Sequence, residues 1–228
     1  MTETMTLNED GSGRLSISMD MKEMMAFSGM MEDSTEAMKK LDTIIRMKDF
    51  LAEKQDSISQ LPAAEQQRLK KLENFNFRSV ANSETQEMFF DVFTDFTSVE
   101  QANELMNAFE ESGNFMQGMG DDTTIEKDEK SGGIMAVAFQ YKNGKFKRDA
   151  YIIDKAKHEM QLDSMKQAEA FMDQMTYKLK YTFPRKIKSA SATDARLTID
   201  GKTIEIERKF IEYLKNPDVL DLEVELEN

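Results

Sequence analysis

The chain has 228 residues, with 43 Asp plus Glu against 30 Lys plus Arg, and a formal net charge of −13. It has no cysteine and no tryptophan, one histidine and 19 methionines. Thiolate, disulfide and two-histidine metal chemistry are thereby excluded, and the acidic balance argues against nucleic-acid binding, which rests on Lys and Arg neutralising phosphates.

At 39% hydrophobic and 32% charged residues, the composition is that of a globular chain. No stretch reaches the ~18 consecutive apolar residues of a membrane-spanning helix. In chain order, residues 3–20 read as a β-hairpin about Asp10-Gly11-Ser12-Gly13. Leu15, Ile17 and Met19 then alternate with Ser16, Ser18 and Asp20, which gives the second strand one apolar face. A Met-rich, then polar stretch over 21–40 reads as a short helix and loop, and 41–47 as a strand. Phe50, Leu51, Lys54 and Ile58 keep helical spacing, and a helix over 62–73 opens on Pro62. Strands follow at 75–80 and 88–93. Thr97 and Glu100 match a capping box ahead of the stripe Val99, Ala102, Leu105, Met106 and Phe109.

Residues 112–132 are rich in glycine and charge and are expected to be the most mobile internal loop. Strands at 134–141 and 146–153 flank the hairpin turn Asn143-Gly144. A helix over 154–175 carries Ala156, Met160, Met165, Ala168, Phe171, Met172 and Met175. Strands are read at 176–183, 195–199 and 202–208, then a helix at 209–215 that stops at Asn216-Pro217, and a last strand at 219–227. Short hairpin turns cannot join parallel strands. The expected fold is therefore α+β: one domain over 1–228 with a largely antiparallel sheet and several helices packed on it. The acidic face of 219–227 (Glu223, Glu225) is expected to lie beside the basic face of Lys178 and Lys180, and not beside Glu205 and Glu207.

Several residue groups invite a chemical reading. Met19, Met21, Met24, Met25, Met30 and Met31 are soft thioethers, but no His or Cys lies near them, so they read as packing or as an apolar binding face. Asn8 and Asp10 suit a calcium loop. Aligned as an EF-hand, however, Gly11 puts Thr6 where an Asp belongs and Ile17 where the bidentate Glu belongs, so the loop reads as a turn. His158 sits in a polar stretch without a nucleophile signature and reads as exposed and ordinary. Asp121-Asp122 reads as solvated loop charge. Phe75, Phe77, Phe89, Phe90, Phe93 and Phe96 read as core, because their segment is not basic enough for a base-stacking platform. No catalytic residue, no metal ligand and no cofactor is assigned, and no ligand-binding residue is identified.

Met5-Thr6-Leu7-Asn8 with Asp10-Gly11-Ser12-Gly13 and Leu15-Ser16-Ile17-Ser18-Met19-Asp20 resembles the start of predicted outer-envelope lipoproteins of Bacteroidetes-type bacteria. Asp42-Thr43, Leu61-Pro62 and the Phe-rich strands are similar too, and Tyr181-Thr182-Phe183-Pro184 before Lys186-Ile187 resembles the Phe-Pro segment of LppM-like lipoprotein domains. The resemblance implies an export signal and a lipid-bearing cysteine ahead of Thr2, an envelope location with membrane contact only through that lipid, and no functional residues to transfer. A native start at Met1 would instead imply a cytoplasmic protein. Two functions follow as expectations. The first is a non-enzymatic binding or scaffold protein of the envelope, with an apolar ligand or an envelope protein as partner. The alternative is a carboxylate-based hydrolase using a hard metal ion.

Overall fold

The computed structural model describes residues 1–20, 41–82, 87–111 and 133–228. The Met-rich stretch after Asp20, and Asp121, Asp122 and the expected mobile loop, lie outside the described residues. The fold is mixed α+β, built of antiparallel sheets with several helices packed on them. Its contacts divide the chain into two compact units.

The first unit comprises Met1–Thr6 and Arg14–Asp95. Its strands are β1 (Thr2–Leu7), β2 (Gly13–Asp20), β3 (Leu41–Arg46), β4 (Asn76–Asn82) and β5 (Glu87–Phe96), in the spatial order β1-β2-β5-β4-β3. Between β3 and β4 run three short helices: α1 (Met47–Glu53), α2 (Gln55–Ile58) and α3 (Ala63–Lys71). Period-2 alternation explains the sheet. Leu15 and Ile17 of β2 and Phe90, Val92 and Phe96 of β5 are buried, while their neighbours along each strand are half-buried or exposed. The outward face of β5 is bound by polar groups. Arg14 makes a two-pronged pair with Asp95 at 2.6 and 2.9 Å and lies 5.0 Å over the Phe93 ring. Ser16 and Ser18 donate to one oxygen of Asp91 at 2.6 and 2.8 Å, and Arg78 forks onto Asp42 at 2.8 Å while covering Phe89. Phe89 and Phe93 are thus half-buried under arginines on the outward face. Phe75, Phe90 and Phe96 do lie in the core.

The second unit holds Leu7–Gly13 and Phe96–Asn228. Helix α4 (Val99–Glu111) opens it, followed by β6 (Met135–Lys142) and β7 (Lys145–Ile152). Helices α5 (Lys155–Ser164) and α6 (Glu169–Met172) come next, with a 3-10 turn at Lys166–Ala168 between them. Then come β8 (Thr176–Thr182), β9 (Ile187–Ala190), β10 (Arg196–Leu197), β11 (Thr203–Lys209), α7 (Phe210–Lys215), a 3-10 turn at Pro217–Leu220 and β12 (Leu222–Leu226). One sheet runs β6-β7-β12-β9, and β10-β11-β8 pair in that order. Phe139, Phe146, Tyr181 and Phe183 meet at centroid distances of 5.2 to 6.4 Å, mostly edge to face, and form the aromatic centre of this unit. Asn143 and Gly144 take φ of 53° and 71°, the turn their sequence demands. A side chain at Gly144 would also meet Arg185 Nη2 at 3.0 Å.

Several expectations are corrected. The capping box is displaced by one residue: Ser98 Oγ accepts from Gln101 N at 3.4 Å, and the Gln101 side chain accepts from Thr97 N at 2.8 Å, leaving Glu100 exposed. The helix expected over 154–175 is broken at Met165, and Met160 stands 65% exposed. β9 carried no legible alternation and was not expected.

The partner of the last strand also differs. β12 lies between β7 and β9, away from Lys178 and Lys180. Opposite charges still pair across neighbouring strands. Glu223 faces Lys147 and Glu225 faces Lys145 on β7, and Lys188 on β9 reaches Glu225 at 2.7 Å. The Lys178 and Lys180 face is taken by β11, with Glu207 at 3.2 Å and Glu205 at 3.1 Å.

Candidate binding groove

Among the described residues, those singled out for chemistry do not converge. His158 is buried at 5% exposure on α5, contrary to the exposed site expected, and its Nε2 lies 2.6 Å from the carbonyl oxygen of Leu214. That carbonyl can only accept, so Nε2–H donates, and the ring ties α5 to α7. In the hairpin loop, Asp10 accepts from Ser12 N at 3.0 Å and from Ser12 Oγ at 2.6 Å, and these bonds hold its carboxyl below the ordinary value of 3.8. Asn8 N donates to Ser12 O and Gly11 N to Asn8 O. The loop's polar groups are thus spent on closing a turn. Among the described residues no three His, Asp or Glu side chains cluster to hold a metal ion. Met19 is half-buried on β2, and the other methionines of its cluster lie outside the described residues.

Two buried charges were not foreseen. Glu3 is fully buried on the inner face of β1. Arg148 is fully buried on β7, where it donates to Leu220 O at 3.2 Å and lies 5.9 Å from the Tyr213 ring centroid. The signal was present: strand alternation puts Arg148 on the face of Phe146 and Ala150. Nearby, Asp221 accepts from Ala150 N at 2.8 Å, and burial pushes its carboxyl above 3.8, helped by Asp149 and Asp218 and opposed by Arg148. Arg148 and Asp221 are thus each tied to a backbone group, Leu220 O and Ala150 N, and act as supports of the fold.

A concave feature lies in the first unit. Helices α1, α2 and α3 enclose an open groove of about 550 Å³. Leu51, Ile58 and Leu69 form its half-buried apolar floor, with Ala52 and Ala63 beside them. Lys48 and Lys70 stand exposed at the rim, with Glu73 as the single acidic lining residue. The α2–α3 connection is fixed by Gln66, whose amide donates to Leu61 O at 2.8 Å and Ser59 O at 3.2 Å. Helical spacing of Leu51, Ile58 and Leu69 was legible in the sequence. That the three helices leave a gap between these side chains was not.

No family model matches the chain, and no curated protein matches it. Among solved structures it is similar to the folded domain of LppM from Mycobacterium tuberculosis, at 8% identity and a TM-score of 0.37, over 99% of this chain and 86% of that one. This is a remote likeness of fold, from which no ligand, partner or location follows.

Proposed function

We propose that the protein is a non-catalytic binding protein whose ligand is apolar with an anionic end, in the manner of a long-chain carboxylate. The observation that carries this reading is the groove itself. Its aliphatic floor favours an alkyl chain, and among the described lining residues Lys48 and Lys70 supply two cations against the one carboxylate of Glu73. Neither lysine has an ion-pair partner among the described residues. An envelope location accompanies this proposal on the resemblance of the Asp10–Gly13 hairpin and the Phe183-Pro184 segment to lipoproteins, and recovery of the native protein from the soluble cytoplasm would overturn that half of it.

The test is titration with a fluorescent fatty acid and with the corresponding fatty alcohol. Saturable binding is expected for the acid and weaker binding for the alcohol. Ile58→Asp should abolish the signal, and Lys48→Glu with Lys70→Glu should remove the preference for the acid. Absence of saturable binding, or equal binding by the Ile58→Asp protein, overturns the proposal.

A further inference from the structure

β3 is the last strand of its sheet among the described residues, and all six of its residues are exposed. Ile44 is 50% exposed on one face, and Ile45 and Leu41 are 48% and 47% exposed on the other. Its sequence, Leu-Asp-Thr-Ile-Ile-Arg, contains none of the proline, lysine or bulge devices that keep an edge from pairing. The end strand β6 of the other sheet is managed differently. Asn103 of α4 donates Nδ2 to Phe139 O at 3.0 Å and accepts from Phe139 N, filling that edge as a strand would. No described residue does this for β3.

The direction of the backbone groups follows from the ladder. Met47 N donates to Phe75 O, and the β3–β4 register continues that alternation, so Leu41, Thr43 and Ile45 turn their backbone groups toward β4. Asp42, Ile44 and Arg46 turn theirs outward. An antiparallel partner pairs best in a register that matches outward-facing residues with outward-facing residues. A second copy of the same strand does so when the two-fold axis passes through Ile44. Ile44 then faces Ile44, and Asp42 of each copy faces Arg46 of the other. Sliding by two residues in either direction sets a charge against Ile44 instead. Arg46 is held only loosely, by Asp49 at 3.9 Å with both side chains 71% exposed, and Asp42, which takes Arg78 on both oxygens at 2.8 Å, keeps lone pairs to accept a second guanidinium.

We infer that the protein associates with a second copy of itself through β3, by antiparallel pairing centred on Ile44 and fixed in register by reciprocal Asp42–Arg46 pairs. The chain's net charge of −13 opposes general self-association. β3 carries one acid and one base, so this edge escapes that repulsion. The association is independent of the groove and of its ligand.

The test uses the full chain, whose lack of cysteine leaves no background for thiol crosslinking. Light scattering coupled to gel filtration should give the mass of two chains at high concentration, falling toward one on dilution. Ile44→Pro removes an outward N–H and leaves the β4 ladder intact, so it should give the mass of one chain at every concentration. Under mild oxidation Ile44→Cys should crosslink to itself. Asp42→Cys and Arg46→Cys should crosslink when mixed and not when alone, which keeps the test open if the proline variant fails to fold. A wild-type monomer at every concentration, as expected if residues 21–40 or another protein cover the edge, overturns the inference. So does a dimer that survives Ile44→Pro, or failure of Ile44→Cys to crosslink.

Discussion

At the scale of single residues, burial decides which charges matter. Asp42, Asp95 and Asp194 are held below 3.8 by hydrogen bonds from Arg78, Arg14 and Arg208. Such groups add stability above their unfolded value, and it is lost as pH falls through the lowered folded one. Exposed pairs of this kind contribute little. Asp221 runs the other way: burial raises its folded value, so its ionisation weakens the fold as pH rises from 3.8 through that raised value. Asp221→Asn keeps an acceptor for Ala150 N and removes the half-buried charge. Thermal unfolding is expected at a higher temperature than wild type at pH 7, with the gap closing as pH falls below 3.8. A lower melting temperature at pH 7 would mean that the buried charge of Arg148 leans on Asp221 more than desolvation penalises it. Alternation along β7 marks the face of Arg148, but nothing in the sequence places Asp221 beside it.

Between elements, stability rests on cross-strand matching. On β8, Tyr177, Leu179 and Tyr181 are buried and Lys178 and Lys180 point outward, as their alternation dictates. β11 supplies the complement, with Glu205 opposite Lys180 and Glu207 opposite Lys178. Lys180→Glu sets like charges face to face and should cost about 0.2–1 kcal/mol in urea unfolding. The double variant Lys180→Glu with Glu205→Lys should recover most of that loss. Equal stability of both variants would show that these ion pairs, 3.1 to 3.2 Å long, are decoration on a ladder held by its buried face. The helices show the same division. The spacing of Leu51, Ile58 and Leu69 places them on inward stripes, but the break at Lys54 and the gap that becomes the groove come from how the short helices meet.

For the molecule as a whole, the last strand is structural and not a tail. β12 is an interior strand of its sheet, and Leu222, Val224 and Leu226 are all buried. At roughly 1.5–3 kcal/mol per buried aliphatic side chain, these three rival the ~5–15 kcal/mol net stability of a typical domain. Its end is tied further by Leu226 N to Gly144 O, Glu227 N to Lys186 O and Arg185 Nη1 to Glu227 O, each within 2.8 Å. Deleting residues 219–228 should therefore abolish cooperative unfolding of the second unit, seen as loss of its near-ultraviolet tyrosine signal. A truncated protein that melts at the wild-type temperature would show that this unit stands without β12.

The sequence alone determined the faces of the strongly alternating strands and the position of the tightest turns. Alternation in Leu222–Leu226 and Tyr177–Tyr181 and the turn at Asn143-Gly144 set strand faces and hairpins, because side-chain period and backbone φ are properties of a few adjacent residues. Charge patterning also required each acidic strand to meet a basic one. It could not say which, since Lys145 and Lys147 offer the same alternation as Lys178 and Lys180, and Glu223 and Glu225 the same as Glu205 and Glu207. Only the tertiary structure chose between these equivalent pairings. It likewise decided the burial of His158 and Arg148, the use of Asn103 to close β6, and the place of β3 at the end of its sheet among the described residues. Each of these depends on which distant segment arrives beside a residue, and that is settled by the packing of the whole chain.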